Sequence, residues 1–205
     1  DGGGAATKPP PCMRERNPPM NSGMVELVLF GVLSGWLLYF SRKSLRVPGS
    51  HGFYRFFAWE AILALILINR RAWFSDPSAV LQIVSWLLLF ASLIMVGQGF
   101  TKLRRAGQPG SKRQDGTLLD FEKTSTLVTS GIYRHIRHPL YGSLLFLAWG
   151  AFLKDVSWAS ACLVVVATLS LVATAKADEA ECVRYFGPSY EEYMKRTKMF
   201  IPLLF

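Results

Sequence analysis

Charged residues are scarce in this 205-residue chain. They make up 18% of the sequence, against about 25% in soluble domains, whereas hydrophobic residues reach 51%. This composition excludes a disordered chain and argues against a soluble domain. Cysteine and histidine are also few, with three of each, and the three cysteines (Cys12, Cys162 and Cys182) have unrelated spacings. We therefore expect neither a disulfide framework nor a bound metal.

Long apolar stretches take the place of the missing charges. Five of them occur, at residues 24–40, 53–68, 79–100, 140–153 and 156–175. A helix needs about 20 apolar residues to cross a bilayer core of about 30 Å. The third and fifth stretches meet that length; the fourth is short enough to be a re-entrant or buried segment instead. Because short spans can adjust their tilt and depth, we expect an all-α membrane bundle with five transmembrane helices.

The polar segments divide the chain further. Residues 1–23 are rich in Gly, Ala and Pro and are expected to form a disordered tail. Residues 24–100 then contain three transmembrane helices, and residues 101–205 contain a cytoplasmic loop, helices four and five, and a C-terminal helix. The fifth helix is expected to continue beyond the membrane until Gly187 and Pro188 end it.

The distribution of lysine and arginine predicts the topology. With five spans, the segments 41–55, 101–137 and 176–205 share one side and hold 17 of the 23 Lys and Arg residues. The positive-inside rule assigns that side to the cytoplasm, so we expect the C-terminus inside and the N-terminus outside. The net charge of +9 then reflects topology and contact with lipid headgroups, and nucleic acid is not an expected partner.

The densest group of polar and aromatic side chains lies in residues 125–141. Pro139 suits the first turn of a helix, because the N–H that it lacks has no partner there, and His138 then caps the helix. The positive end of the helix dipole favours a carboxylate or phosphate, and the ring faces of Tyr133 and Tyr141 attract a cation. The group therefore predicts a site for a ligand with a carboxylate and a positive centre, although an aromatic, basic collar at the membrane interface has the same composition.

Acidic residues mark further candidate positions. Asp178 and Glu181 follow the fifth stretch at a spacing of i and i+3 and so share a helix face; a solvated helix end has the same pattern. Glu60 lies midway along the second stretch, where an acid is costly and typically functional, unless a polar seam between helices holds it. We take Glu60, Arg137 and Lys176 as candidate substrate contacts.

Two motifs resemble a known family. The first reads LVTSGIYRHIRHPLY at residues 127–141, and the second is a Phe-Gly pair followed by two tyrosines within residues 186–193. Their combination resembles the isoprenylcysteine carboxyl methyltransferase and phospholipid methyltransferase superfamily of integral membrane enzymes, over residues 118–202. The resemblance implies a methyltransferase that uses S-adenosylmethionine (SAM) and a lipophilic or small amphiphilic acceptor drawn from the lipid bilayer.

The resemblance also implies which residues bind SAM. Carried over by position, the cofactor-binding residues are Thr126, Leu127, Val128, Tyr133, His138, Pro139, Tyr141, Asp178 and Glu179. His138 and Tyr141 are in addition candidate catalytic residues, because an amine or hydroxyl acceptor needs a base. Methyl transfer itself needs an aligned donor and acceptor in a dry site.

Two positions depart from the prenylcysteine-type enzymes. Those enzymes have an Arg four residues before the acidic pair, where this chain has Thr174, and a Gln where it has Leu118. The resemblance therefore implies a SAM site without the site for a prenylcysteine carboxylate. Two alternatives stay open: a non-catalytic membrane protein that retains the fold, and an NADPH-dependent, reductase-like membrane protein. The sequence gives no indication of the oligomeric state.

Cysteine-accessibility labelling in intact cells tests the predicted topology. In a variant without the native cysteines, Asp76→Cys should react with a membrane-impermeant maleimide, because position 76 is predicted to lie outside. Gly110→Cys and Lys195→Cys should react only after the cells are permeabilised. Labelling of positions 76 and 110 from the same side would contradict the five-span topology.

Overall fold

The computed structural model describes residues 21–107 and 124–201, and its regular structure there is helical, with an isolated parallel pairing of Ile136 with Lys198 besides. The α-helices in these ranges are α1 (Asn21–Leu45), α2 (His51–Ile68), α3 (Val80–Ala106), α4 (Pro139–Phe152), α5 (Trp158–Phe186) and α6 (Pro188–Arg196). The all-α prediction is confirmed. Residues 1–20 of the expected tail lie outside the described ranges, and α1 begins within the last part of that tail.

The five predicted apolar stretches are all helical, but the helices differ in length. Helices α1, α2, α3 and α5 are long and apolar enough to cross a membrane. Helix α4 has 14 residues, which is about 21 Å at 1.5 Å per residue and falls short of a hydrocarbon core of about 30 Å. It packs between α3 and α5, so the short helix is enclosed by longer ones.

The helices follow each other in space as α1, α2, α5, α4 and α3. The core between α2, α4 and α5 is built largely from small side chains, among them Ala61, Ala148, Ala151 and Ala167. Small residues let helix backbones approach closely, which is how helices gain packing energy inside a membrane.

Three small residues of α3, spaced seven apart, set the register of α4. Ser85 donates from Oγ to the carbonyl of Gly150 at 2.6 Å, and Ser92 donates to that of Ser143 at 2.7 Å. Gly99 lies against Pro139, the first residue of α4. The two helices are therefore antiparallel, and α4 begins at the level of Gly99.

The C-terminal end of α4 is anchored by buried polar groups. Asn69 donates from Nδ2 to the carbonyls of Ala151 and Asp155. The buried ammonium of Lys154 donates to Oε1 of Gln82 at 3.0 Å and lies over a tryptophan ring. With this end fixed, the length of α4 determines where its first residue lies.

Both neighbours of α4 extend past its first turn. Helix α3 continues seven residues beyond Gly99, to Ala106, and α5 continues seven residues beyond Glu179, which contacts His138 at the start of α4. Each overhang is about 10 Å long. The N-terminus of α4 therefore lies at the bottom of a recess between two longer helices.

Helix α6 folds back over this recess. Gly187, which ends α5, has a φ of +60°, a conformation that side chains disfavour. Pro188 then starts α6, as the sequence predicted. The chain reversal lets Tyr193 of α6 donate from its hydroxyl to the carbonyl of Tyr133 at 2.6 Å.

Candidate active site

A cavity of about 100 Å³ lies in the recess at the start of α4. Its walls come from α3, the segment before α4, the first turn of α4, the α5 overhang and α6. The lining residues include Leu127, Val128, Tyr133, Arg137, His138, Pro139, Tyr141, Asp178, Cys182, Phe186, Tyr190 and Tyr193.

His138 lies at the bottom of the cavity as the N-cap residue of α4, as the sequence predicted. The residue is 5% exposed. Its Nδ1 lies 3.5 Å from Oδ2 of Asp178, and its Nε2 lies 3.3 Å from Oε1 of Glu179. Burial lowers the pKa of His138, but the hydrogen bonds and charges of the two carboxylates outweigh burial, and the net pKa is raised above its usual range.

Arg137 holds three chain segments together. Its Nε donates to Oε1 of Glu179 at 2.7 Å, and its Nη1 donates to the carbonyls of Met194 and Thr197. A guanidinium with several donors in a fixed plane suits such a junction. The predicted substrate contact is thus engaged by α5 and the end of α6.

Backbone pairing with the C-terminal segment fixes the residues before α4. Arg137 N–H donates to the carbonyl of Lys198 at 2.8 Å, His138 N–H donates to that of Met199 at 3.1 Å, and Lys198 N–H donates to that of His135. Sequence reasoning missed this pairing, because the four residues that follow α6 show no periodic pattern. The pairing makes the C-terminal segment part of the site's frame.

Aromatic rings form much of the cavity wall. His138 stacks on Tyr141 with 5.5 Å between ring centroids, and Tyr190 stacks on Phe186 at 6.4 Å. Burial raises the pKa of both Tyr190 and Tyr193, so both phenols stay neutral. The wall therefore offers ring faces to a planar or cationic group. The i and i+3 spacing of Tyr190 and Tyr193, on one helix face, is the signal that locates this pair.

Most of the proposed cofactor residues meet in the cavity. Leu127, Val128, Tyr133, His138, Pro139, Tyr141 and Asp178 line it, and buried Glu179 contacts His138 from behind. Thr126 is exposed and does not line the cavity. Of the two acids, Asp178 faces the cavity and Glu179 bonds Arg137.

The other two expected substrate contacts lie elsewhere. Lys176 is exposed, and its place two residues before Asp178 puts it on nearly the opposite side of α5. Glu60 lies on the side of α2 away from the buried stripe that includes Arg55, Ala58 and Ile62. One Glu60 oxygen is buried without a hydrogen-bond partner among the described residues.

The two departures from the prenylcysteine pattern have different outcomes. Leu118 lies outside the described residues. Thr174 is fully buried and donates from Oγ1 to the carbonyl of Ser170 at 2.7 Å. An arginine in this packed position would displace its neighbours, which typically destabilises a core.

One group of side chains has metal-ligand geometry. The ligating atoms of His51, Asp178 and Glu181 lie within 4.8 Å of one another. Nδ1 of His51 and Oε2 of Glu181 form a direct hydrogen bond of 2.8 Å. This contact needs no bound ion.

Comparison with known proteins assigns the family. Residues 82–188, just over half of the chain, match the sequence model of the phospholipid methyltransferase family. The chain belongs to this family. It is also 30% identical over 115 residues to the protein-S-isoprenylcysteine O-methyltransferase of Schizosaccharomyces pombe; this stretch covers 56% of the chain but only 43% of that relative. No solved structure matches the chain.

The match to the family has a clear position in the fold. It starts in α3 and ends at the first residue of α6, so it contains the recess and most of the cavity wall. The resemblance inferred from the two motifs is confirmed. Helices α1 and α2 lie outside the matched range.

The raised pKa of His138 predicts a pH-dependent contribution to stability. A histidine whose pKa is higher in the folded state stabilises the protein fully below its unfolded pKa of about 6.5, and loses that contribution as pH rises through the folded pKa. We expect wild type to exceed His138→Gln in melting temperature most clearly below about pH 6, with the difference shrinking at higher pH. A difference that is constant between pH 5 and 9 would contradict the charged contact with Asp178 and Glu179.

Proposed function

We propose that the protein is a SAM-dependent membrane methyltransferase that acts on a lipophilic acceptor. The observation that carries the proposal is the composition of the recess: a cation, a carboxylate and several ring faces converge on one cavity at a helix N-terminus. Membership of the phospholipid methyltransferase family supports the reaction class.

The groups in the cavity suit the groups of SAM. Its carboxylate matches the positive end of the α4 dipole. Its ammonium matches the Asp178 carboxylate, and its adenine and sulfonium match the rings of Tyr133, Tyr141 and Tyr190. When bound, SAM supplies a methyl group already activated by the positive sulfur.

The chain's own residues then have to orient SAM and the acceptor and to exclude water from the cavity. His138 is held between two carboxylates, and its raised pKa favours the imidazolium form. Held in this form between the two carboxylates, it is poorly suited to proton abstraction. Tyr141 stacks on His138 and fixes the plane of its ring. We assign both residues to cofactor binding rather than to base catalysis.

The orientation of the recess fits a soluble donor and a membrane-soluble acceptor. The recess opens at the end of the bundle that contains the α1–α2 connection and the overhangs of α3 and α5, the end to which the lysine and arginine distribution assigns the cytoplasm. SAM would enter from the cytosol, and the acceptor would enter from the bilayer.

Direct binding measurements test the cofactor. In lipid nanodiscs, the purified protein should bind SAM and S-adenosylhomocysteine with similar affinity, because the carboxylate and adenosine contacts are shared. His138→Ala and Tyr141→Ala should each weaken binding by about 1–3 kcal/mol, the usual cost of losing a charged or buried polar partner. Glu192→Ala, on the exposed face of α6, is the matched control and should bind as wild type does.

A failure to bind SAM would contradict the proposed function. It would favour one of the two alternatives, and NADPH binding under the same conditions would distinguish a reductase-like protein from a non-catalytic one.

The charged groups that the cavity lacks indicate the chemical class of the acceptor. Among the described residues, Arg137 is the one arginine or lysine that lines the cavity, and its Nε and Nη1 are bonded to Glu179 and to backbone carbonyls. A carboxylate acceptor would find no guanidinium to clamp it, and an unpaired charge is costly to desolvate. We therefore favour a lipid amine or thiol. The relative from S. pombe makes a prenylcysteine carboxylate the second candidate.

A radiolabelled-SAM assay distinguishes these acceptors. Turnover of a farnesylated cysteine analogue should be clearly below that of the best lipid amine or thiol, because the carboxylate lacks a partner. Equal turnover would show that a residue outside the described cavity, or a rearranged Arg137, binds the carboxylate. A farnesylated thiol without the carboxylate is the matched control for the lipid chain.

A further inference from the structure

Helix α2 reaches the α5 overhang through its first residue. His51 is 0% exposed, and its backbone N–H donates to Oε1 of Glu181 at 3.2 Å. Its Nδ1 lies 2.8 Å from Oε2 of the same carboxylate; since a carboxylate only accepts, Nδ1 carries the proton. One residue thus binds both carboxylate oxygens. We name these two contacts the His51–Glu181 clip.

The clip starts from a rigid position. Ser50 caps α2 by accepting from the N–H of Phe53, and its hydroxyl donates to the carbonyl of Ser44 at the end of α1. These bonds tie the α1–α2 connection together immediately before His51. A carboxylate at a helix N-terminus also gains from the helix dipole. The position of Glu181 is therefore determined by α2, which packs closely against α5.

The clip lies directly beside the cavity. Glu181 follows Asp178 by three residues on the same face of α5, and the ligating atoms of His51, Asp178 and Glu181 lie within 4.8 Å of one another. Asp178 lines the cavity and approaches His138 at 3.5 Å. A rotation of the α5 overhang that moved Glu181 would move Asp178 with it.

Helix α4 begins at the level of His138, which contacts Glu179, whereas α5 continues seven residues further, to Phe186. The His51–Glu181 clip is placed in this region, on the α2 side. Arg137 holds α5 from the other side, just before the overhang, through Glu179 at 2.7 Å. Asp178 therefore lies immediately before two residues of α5 that are held in place, Glu179 and Glu181.

We propose that His51 is a positioning residue for the methyl-donor site: through Glu181 it fixes the α5 overhang so that Asp178 faces the cavity. The proposal rests on the proposed SAM-dependent function. It gives the N-terminal helices, which lie outside the family match, a part in forming the cofactor site.

The test compares His51 variants in SAM binding and in kinetics. His51→Ala should raise the dissociation constant for SAM and the KM for SAM by roughly ten-fold, in line with the loss of a hydrogen bond to a charged group, and should change kcat little. His51→Asn should restore binding to within about three-fold of wild type, because its amide nitrogen stands where Nδ1 does.

Ser160→Ala is the matched control for lost stability. Ser160 lies at the opposite end of α5 from the clip, is 0% exposed and, like His51, makes hydrogen bonds that the substitution removes: its Oγ donates to the carbonyl of Asp155 and accepts from the N–H of Ser157. It should lower the melting temperature as His51→Ala does but leave the SAM dissociation constant unchanged.

Three results would overturn the proposal. Equal loss of SAM affinity in the His51→Ala and Ser160→Ala proteins would make the His51 effect one of stability alone. Wild-type affinity in His51→Ala would show that the clip does not position Asp178. Loss of SAM binding with EDTA, restored by a divalent ion, would replace the clip by a metal site. Absence of SAM binding by wild type is a separate result, which refutes the proposed function itself.

Discussion

The length of α4 is the constraint on which the site depends. At 14 residues and about 21 Å, the helix is anchored at its C-terminal end and stops well short of the ends of α3 and α5. Its first turn therefore lies below the level of the surrounding helices. That position creates a recess at this end of the bundle. The N-terminus of α4, the positive end of its helix dipole, lies at the bottom of the recess.

Charges can lie this deep because each has a partner. His138 contacts Asp178 and Glu179, and Glu179 in turn accepts from Arg137. Removing one member of such a network leaves an uncompensated buried charge, which is costlier than the intact network. The same pairing divides the roles of the two acids, because Glu179 is engaged by Arg137 while Asp178 remains on the cavity wall. On the other side of α5, His51 and Glu181 hold the turn that carries Asp178.

Local signals in the sequence located the helices and the centre of the site. Apolar length identified the five stretches, Gly187 and Pro188 marked the end of α5, and Pro139 placed His138 at an N-cap. The sequence did not predict the contacts between distant parts of the chain. These are the pairing of residues 135–138 with the segment after α6, and the hydrogen bonds of Arg137 and His51 to α5. Glu60 and Lys176 do not line this cavity, because residue type alone does not say which face of a helix meets it; as substrate contacts they stay predictions.

The central claim is that the recess at the start of α4 binds the methyl donor. Ultraviolet cross-linking of radiolabelled SAM to the protein in nanodiscs, followed by peptide mapping, tests it most directly. The account predicts label in residues 124–141 or 178–193, displaced by unlabelled S-adenosylhomocysteine. Displaceable label confined to α1, α2 or the C-terminal end of α4 would contradict it.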